Sequence, residues 1–325
     1  MEYVKLGNTG LDVSKICLGC MSFGDGNWIH KWVLNEQESE KVIKRALELG
    51  INFFDTANIY SFGTSEEYLG KALKKYAKRE DVVIATKVNG AMRQGPNSVG
   101  LSRKAIFTEV DNSLKRLGTD YIDLYIIHRF DNNTPIEETL DALDRLVKLG
   151  KVRYLGASSM YAWQFLKMLN ISEKNGWTKF ISMQNHYNLI YREEEREMIP
   201  LCIDQKIAIT PYSPLAAGRL SRSPRTESDR KNTDKLAKLK YDETIDIDRL
   251  VIDRLFEIAK NKNVSAANIA LAWLFNKQSV ISPIIGATKI HQLEDLVLSI
   301  DIKLTEYEMG YLEEHYVPHK IVGHK

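Results

Sequence analysis

Four polar side chains stand where short apolar runs stop, or just beyond, and their chemistries complement one another. Asp55 closes Ile51-Asn52-Phe53-Phe54, Lys87 closes Val82-Val83-Ile84-Ala85-Thr86, and His128 closes Leu124-Tyr125-Ile126-Ile127, while Tyr60 follows the first run in the next loop. A phenol with a pKa of about 10 is a poor acid–base group at neutral pH. A cation about 4 Å away, at an effective dielectric of about 20, is worth roughly 4 kcal/mol or about three pKa units, and it acts downward on the phenol. Lys87 is the residue to supply that cation, and Asp55 is the partner that keeps it charged despite burial. His128 would donate a hydrogen bond that fixes and polarises a carbonyl oxygen. The set suits proton delivery to such an oxygen. The matching hydride must come from a cofactor, because no side chain supplies one. Singly, Tyr60 reads as a structural aromatic, Lys87 as a helix-covering cation, His128 as a satisfied core histidine and Asp55 as a helix cap. Their recurrence at matching run ends makes the joint reading the stronger one.

Residues so far apart in sequence meet only if the fold gathers strand ends. Eight β-rich runs alternate with amphipathic segments, near Ile16–Cys20, Phe53–Thr56, Val82–Lys87, Ile122–His128, Val152–Ala157, Ile181–Gln184, Ala208–Tyr212 and Ile281–Ile285. That rhythm predicts an α/β fold, a (β/α)8 TIM barrel, in which one rim collects the carboxyl ends of all strands. Between the runs, Val42, Ile43, Ala46, Leu47 and Leu49, and again Leu140, Leu143, Leu146, Val147 and Leu149, recur at helical spacing. Ahead of the first run, Tyr3–Leu6 and Leu11–Val13 flank Gly7-Asn8-Thr9-Gly10 and predict an N-terminal β-hairpin that plugs the barrel's amino end. Two long rim loops follow strands, Asn89–Leu101 and Leu215–Ile245; the second is charged enough to be mostly solvated. The expectation is a single domain over 1–325.

With 325 residues, 44% hydrophobic content, 27% charged content and a net charge of +2, nothing demands nucleic acid or a membrane as partner. No apolar stretch approaches spanning length and the start lacks a signal peptide, so the cytoplasm is the expected location. Three cysteines argue against a disulfide framework. Cys17 and Cys20 form a C-x-x-C, but on a strand they point to opposite faces. His315, His319 and His324 read as a polar tail, and neither they nor His128 and His186 show metal-ligand spacing, so no metal is expected. No G-x-G-x-x-G appears near Gly19, Gly24 and Gly26, which argues against a Rossmann arrangement.

The strings GINFFDTANIY, VVIATK and LYIIH, in this order, resemble the aldo-keto reductase superfamily, and the likeness runs from about Leu6 to Asp295. It implies reduction of aldehydes or ketones with an extended nicotinamide cofactor across the rim, NADP(H) preferred and NAD(H) possible. Gly19, Cys20, Met21 and Asp55 would line its floor. Ser158 of GASS and Gln184 of MQNHYN would hold the carboxamide, and Tyr212 would stack on the nicotinamide. Ser213, Pro214, Leu215 and Ala217 would approach the pyrophosphate through backbone, and Gly286, Thr288, Gln292 and Asp295 would serve the adenosine half. Leu296 and Ser159 stand where relatives often carry Asn and Arg. Arg219, Arg222, Arg225 and Arg230 are the candidates for a 2′-phosphate. Met21, Trp28, Trp32, Tyr60, Asn89, Arg93, His128, Arg129 and Phe130 would wall the substrate pocket, with Arg93 and Arg129 placed to read an acidic or phosphorylated carbonyl. The segment QNHYNLIYREEEREMIPLC, from Gln184 to Cys202, resembles bacterial aryl-alcohol-dehydrogenase-like members. The rival implied by the same resemblance is a non-enzymatic nicotinamide-binding regulatory subunit. Oligomeric state and physiological substrate stay open at this level.

Overall fold

The computed structural model describes residues 1–27, 32–222, 233–278 and 280–323. After a hairpin of β1 (Tyr3–Lys5) and β2 (Asp12–Ser14) come β3 (Cys17–Gly19), β4 (Phe53–Asp55), β5 (Val83–Val88), β6 (Ile122–Ile127), β7 (Val152–Ser158), β8 (Phe180–Gln184), β9 (Ala208–Ile209) and β10 (Ile284–Ile285). The eight later strands form one parallel sheet in the order β10-β3-β4-β5-β6-β7-β8-β9. The ring is completed where Ile281 N donates to Ile209 O (3.0 Å) and Ile284 N donates to Pro211 O (2.9 Å). These last two strands are shorter than the sequence suggests because Pro211 and Pro283 have no N–H to extend the ladder.

Helices Glu36–Glu48 (α1), Thr64–Tyr76 (α2), Arg103–Leu117 (α3), Ile136–Lys148 (α4) and Ala162–Asn175 (α5) pack outside the strands they connect. Local chemistry sets their ends. Asn35 and Glu38 close a reciprocal capping box at the start of α1, and Gly118 takes the left-handed turn that ends α3. Their apolar stripes pack against the outward residues of the sheet, such as Ile84, Val88, Tyr125 and Ile127. The alternate residues face inward: Cys17, Phe53, Val83, Ala85, Leu124, Ile126, Ala208 and Ile284 fill the barrel with Leu6 and Val13 of the hairpin segment. The larger of these, Leu, Ile, Val and Phe, each contribute about 1.5–3 kcal/mol through burial. The hairpin is therefore a plug, as its sequence predicts. Gly7 makes it possible: at φ +63° its Cα passes so near Ile181 O that an added Cβ would lie 2.7 Å away.

The same period of two puts Cys17 inside and Cys20 in the outer core, both buried, and burial pushes both thiols well up. It also carries Asp55, Lys87, His128, Ser158 and Gln184 to the inner face at the carboxyl rim. Over that rim, the Asn89–Leu101 loop is pinned by Gly100 N to Asn89 O (2.9 Å) and Leu101 N to Asp131 Oδ2 (2.8 Å). The second loop holds a 3-10 turn at Ala216–Gly218 and a helix at Lys235–Tyr241. Arg225, Arg230 and Trp28 lie outside the described residues. Beyond helix Glu306–Glu313 the chain is not the solvated tail its histidines suggest. His319 Nε2 pairs with Asp248 Oδ1 at 2.9 Å, both side chains only 4% exposed, because Asp248 and the Tyr316 ring offer a charged and a flat partner.

Candidate active site

Asp55 ends β4, Lys87 ends all but one residue of β5, and neighbouring registers place them together on the inner wall. Tyr60 begins the 3-10 turn Tyr60–Gly63. That turn is fixed from below: Asn58 N donates to Lys87 O (3.2 Å), Asn58 Nδ2 to Glu109 Oε2 (3.0 Å), and Thr56 and Ser65 hydroxyls meet at 2.9 Å. Gly24 lies against it, where a Cβ would fall 2.4 Å from that of Ser61. Lys87 Nζ donates to Asp55 Oδ1 (2.6 Å), to the Thr56 carbonyl (2.7 Å) and to Tyr60 Oη (3.2 Å). An ammonium has three hydrogens and no acceptor, so these bonds exhaust it. Tyr60 Oη is thereby an acceptor toward Lys87, and its own proton is left to face the barrel mouth. His128 stands beside it, the two rings edge to face with centroids 5.9 Å apart.

Gln184 enters this cluster in a way its sequence context does not announce. Its Nε2 donates to Asp55 Oδ2 at 2.8 Å, so both carboxylate oxygens are held, one by Lys87 and one by Gln184. Ser158 Oγ donates to the Gln184 carbonyl at 2.9 Å.

The protonation states differ from the sequence expectation in one respect. Burial pushes the Tyr60 phenol up and outweighs the pull of Lys87, so its pKa lies above the ordinary value rather than three units below. The sequence reading took Lys87's pull as the deciding effect; burial is larger, and the Asp55 carboxylate, 2.6 Å from the ammonium, opposes that pull as well. Burial works to strip the Lys87 proton, but Asp55 and Tyr60 more than offset it and hold the ammonium above its usual range. Burial, then Lys87, Arg129 and Lys240, drive the His128 imidazole well below its ordinary value. At neutral pH the group is a protonated phenol, an ammonium and a neutral imidazole with one N–H.

Around this floor lie the other residues singled out from sequence. Gly19 and Cys20 are buried, Met21 is partly exposed, and Cys20 N donates to Asp55 O at 2.7 Å. Tyr212 stacks on His186 (centroids 5.3 Å, 11° between planes), and its hydroxyl accepts from Ser159 Oγ at 3.3 Å. Ser159, Ser213, Ala216 and Ala217 all take positive φ, costing on the order of 1 kcal/mol or more each. Pro214 and Leu215 sit within that strained turn. Gly286 opens onto free space where a Cβ would meet nothing, and Gln292 Oε1 accepts from Thr288 N at 3.2 Å. Asp295 is engaged by Ser265 Oγ (2.7 Å) and Asn268 Nδ2 (3.1 Å). Arg219 is paired with Asp242 and lies over the Tyr241 ring, whereas Arg222 has no carboxylate partner among the described residues. A flat aromatic, a strained backbone turn, an open glycine and a spare guanidinium along one rim fit an elongated dinucleotide with phosphates.

On the substrate side Trp32, Asn89, Arg129 and Phe130 are partly buried, and Asn89 Nδ2 donates to Arg129 O at 3.4 Å. Arg93 is not brought in: it is exposed and donates to Gln94 O and Asn97 O of its own loop, the nearest acceptors to a short turn. Lys240, unmarked in the sequence within a charged loop, does reach the mouth, its Nζ 4.5 Å from the Tyr212 ring centroid. His186 is a packing residue, stacked between Tyr191 and Tyr212 and joined through Nε2 to Tyr241 Oη at 2.7 Å. Among the described residues no three His, Cys, Asp or Glu side chains gather as a metal site would need, and no helix is long and apolar enough to cross a membrane.

An eight-stranded parallel barrel whose carboxyl rim carries a protonated phenol on an ammonium–carboxylate pair, beside a neutral imidazole, defines a barrel oxidoreductase acting at carbonyl and alcohol groups. The chain belongs to the aldo/keto reductase family, whose model matches residues 15–317; members use nicotinamide cofactors. It is 47% identical to versiconal hemiacetal acetate reductase of Aspergillus parasiticus, over 99% of this chain and 98% of that one. It is 44% identical to an aldo-keto reductase of Fusarium vanettenii, over 100% and 93%. A Schizosaccharomyces pombe protein bearing an aryl-alcohol dehydrogenase name shares 43% over 99% and 97%. These relatives are fungal and yeast proteins, so the bacterial branch suggested by Gln184–Cys202 is not supported; in this chain the segment buries Tyr187 and Tyr191.

Proposed function

We propose that this protein reduces aldehydes or ketones to alcohols, with NADPH preferred over NADH and Tyr60 as the proton donor. The observation that carries the reading is the Lys87 ammonium, which spends its three hydrogens on Asp55, Thr56 and Tyr60. The phenol keeps its own hydrogen for a carbonyl oxygen at the mouth. His128 donates to the same oxygen through its single N–H and stays neutral while doing so, so it polarises the carbonyl without competing as an acid. The bound dinucleotide supplies the hydride. As the phenol gives up its proton, negative charge develops on Tyr60 Oη, 3.2 Å from Lys87 Nζ, and that interaction strengthens toward the transition state. Asp55, clamped by Gln184, keeps the ammonium in place through the cycle. Ser158, Gln184 and Tyr212 would hold the nicotinamide end, the turn at Ser213–Ala217 the diphosphate, and Gly286, Thr288, Gln292 and Asp295 the adenosine. Arg222, which has no carboxylate partner among the described residues, is the residue for a 2′-phosphate and the support for NADPH. Met21, Trp32, Asn89 and Phe130 supply an apolar cup suited to aromatic aldehydes. The three cysteines, all unpaired and buried, suit a cytoplasmic setting.

The test is to mix purified protein with NADPH, and separately with NADH, and a panel of aromatic, aliphatic and sugar-derived aldehydes, following nicotinamide absorbance. Turnover with NADPH exceeding that with NADH is expected. Dinucleotide binding without turnover across the panel would favour the non-enzymatic binding role.

A further inference from the structure

The Tyr60 site is electrically asymmetric. Lys87 is balanced by Asp55 at 2.6 Å, but two further cations at the mouth have no such partner among the described residues. Arg129 directs Nη1 at the His128 carbonyl, 2.5 Å away, and Lys240 Nζ lies 3.4 Å from Tyr212 Oη and over its ring. No carboxylate among the described residues comes within ion-pair distance of either. Elsewhere on the molecule comparable side chains are paired: Arg79 with Asp123, Arg116 with Glu66, Arg192 with Glu195 and Glu313. Both spare cations act on His128, and Arg129 acts also on Tyr60, so they share one space with the reacting groups. Both are partly buried, which strengthens any ion pair they form relative to one in open water. A partly enclosed cleft lined by charge of one sign concentrates ligands of the other.

We propose that Arg129 and Lys240 form an anion-reading pair at the barrel mouth, and that the preferred carbonyl substrates carry a carboxylate or phosphate away from the reacting carbon. The inference rests on the reductase reading of this site and names its substrate class. Arg129, one residue beyond His128, gives a forked donor to the anion, while Lys240, on the helix Lys235–Tyr241 and against Tyr212, adds a point charge. The dinucleotide's diphosphate is another source of the same charge, and the experiment separates the two.

Wild type, Arg129→Gln, Lys240→Gln and the double variant are compared at saturating NADPH with 4-carboxybenzaldehyde and its neutral methyl ester. The carboxylate-to-ester ratio of kcat/KM is expected at about tenfold to a hundredfold in wild type, the size of one charged hydrogen bond. It should fall in each single variant, approach one in the double, and be partly restored by Arg129→Lys. The dissociation constant for NADPH, from protein fluorescence, should change by less than the ratio does. A wild-type ratio near one, or a ratio untouched by the substitutions, overturns the pair. So does weakened NADPH binding with an unchanged ratio, which would assign the cations to the dinucleotide. Equilibrium binding of 4-(hydroxymethyl)benzoate against its methyl ester, in the NADP⁺ complex, reads the same discrimination without turnover. An inactive protein that still prefers the carboxylate refutes the reductase reading but keeps the pair.

Discussion

Replacing Lys87 with methionine should damage turnover more than replacing Lys87 and Asp55 together with methionine and asparagine. The ammonium lies 3.2 Å from the phenol oxygen, and at an effective dielectric of about 20 that favours the tyrosinate by about 5 kcal/mol. Asp55 sits 2.6 Å from the same nitrogen, so its charge is no more than about 6 Å from the phenol and opposes by about 3 kcal/mol or more. The net benefit is then at most about 2 kcal/mol, or about one and a half pKa units, which burial can exceed. Lys87→Met removes the attraction and leaves the repulsion, raising the phenol by between about three and four units. The double variant removes both and forfeits only the small net term. With the proton partly transferred in the transition state, the double variant should turn over about tenfold to a hundredfold faster than the single one. The assay is steady-state NADPH oxidation with an aromatic aldehyde at pH 7. Thermal unfolding is followed in parallel, because stranding Asp55 on Gln184 alone costs about 3–5 kcal/mol of stability. Equal rates in the two variants, or a faster single variant, would refute the reasoning that the pair acts as opposed charges.

Three further outcomes follow from the geometry. Gln184→Leu takes away the side-chain donor to Asp55 Oδ2 found among the described residues and should lower stability by about 1–3 kcal/mol, read by urea unfolding. Because His128 is held well below its ordinary value by burial and three cations, kcat/KM should show no inflection from it near pH 6.5. Loss of activity through His128 belongs only to pH well below that, where the ring gains a second proton; a pH–rate profile of wild type against His128→Gln checks this. The His319 pKa is raised, burial working against and Asp248 for the charged form. Its pairing with Asp248 therefore adds stability below the ordinary histidine value of about 6.5, and that stability is lost as pH rises through the raised value. Thermal midpoints across that window should fall in wild type, and the fall should flatten in His319→Gln/Asp248→Asn.

The barrel was legible because its signals are periodic. Phe53 and Asp55, or Val83, Ala85 and Lys87, alternate with outward residues, so a strand ending in a polar residue places that residue on the inner rim whatever the loops do. Asp55, Tyr60 and Lys87 meet as their run ends predict. What sequence could not supply was the balance of fields. The phenol's direction depends on how far Asp55 cancels Lys87 and how much water is excluded, and both are matters of distance. Lys240 was hidden for a related reason: in a loop dense in lysine and arginine no spacing distinguishes the one that turns inward. Arg93 erred the opposite way, near the site in sequence yet satisfied by its own loop carbonyls. A signal for His319 did exist, in Asp248 on an amphipathic helix and Tyr316 three residues before it, but a pair 71 positions apart is visible only once folded.

The central claim is that Tyr60 Oη delivers the proton, and Tyr60→Phe tests it most directly, removing one oxygen while keeping the ring against His128. Measured together by fluorescence titration and single-turnover oxidation of bound NADPH with excess aldehyde, the variant should bind dinucleotide as wild type does. Its rate should drop by at least about a thousandfold, in keeping with loss of the general acid that the Lys87 ammonium supports. A Tyr60→Phe protein reducing aldehyde within about tenfold of wild type would show that the proton comes from elsewhere.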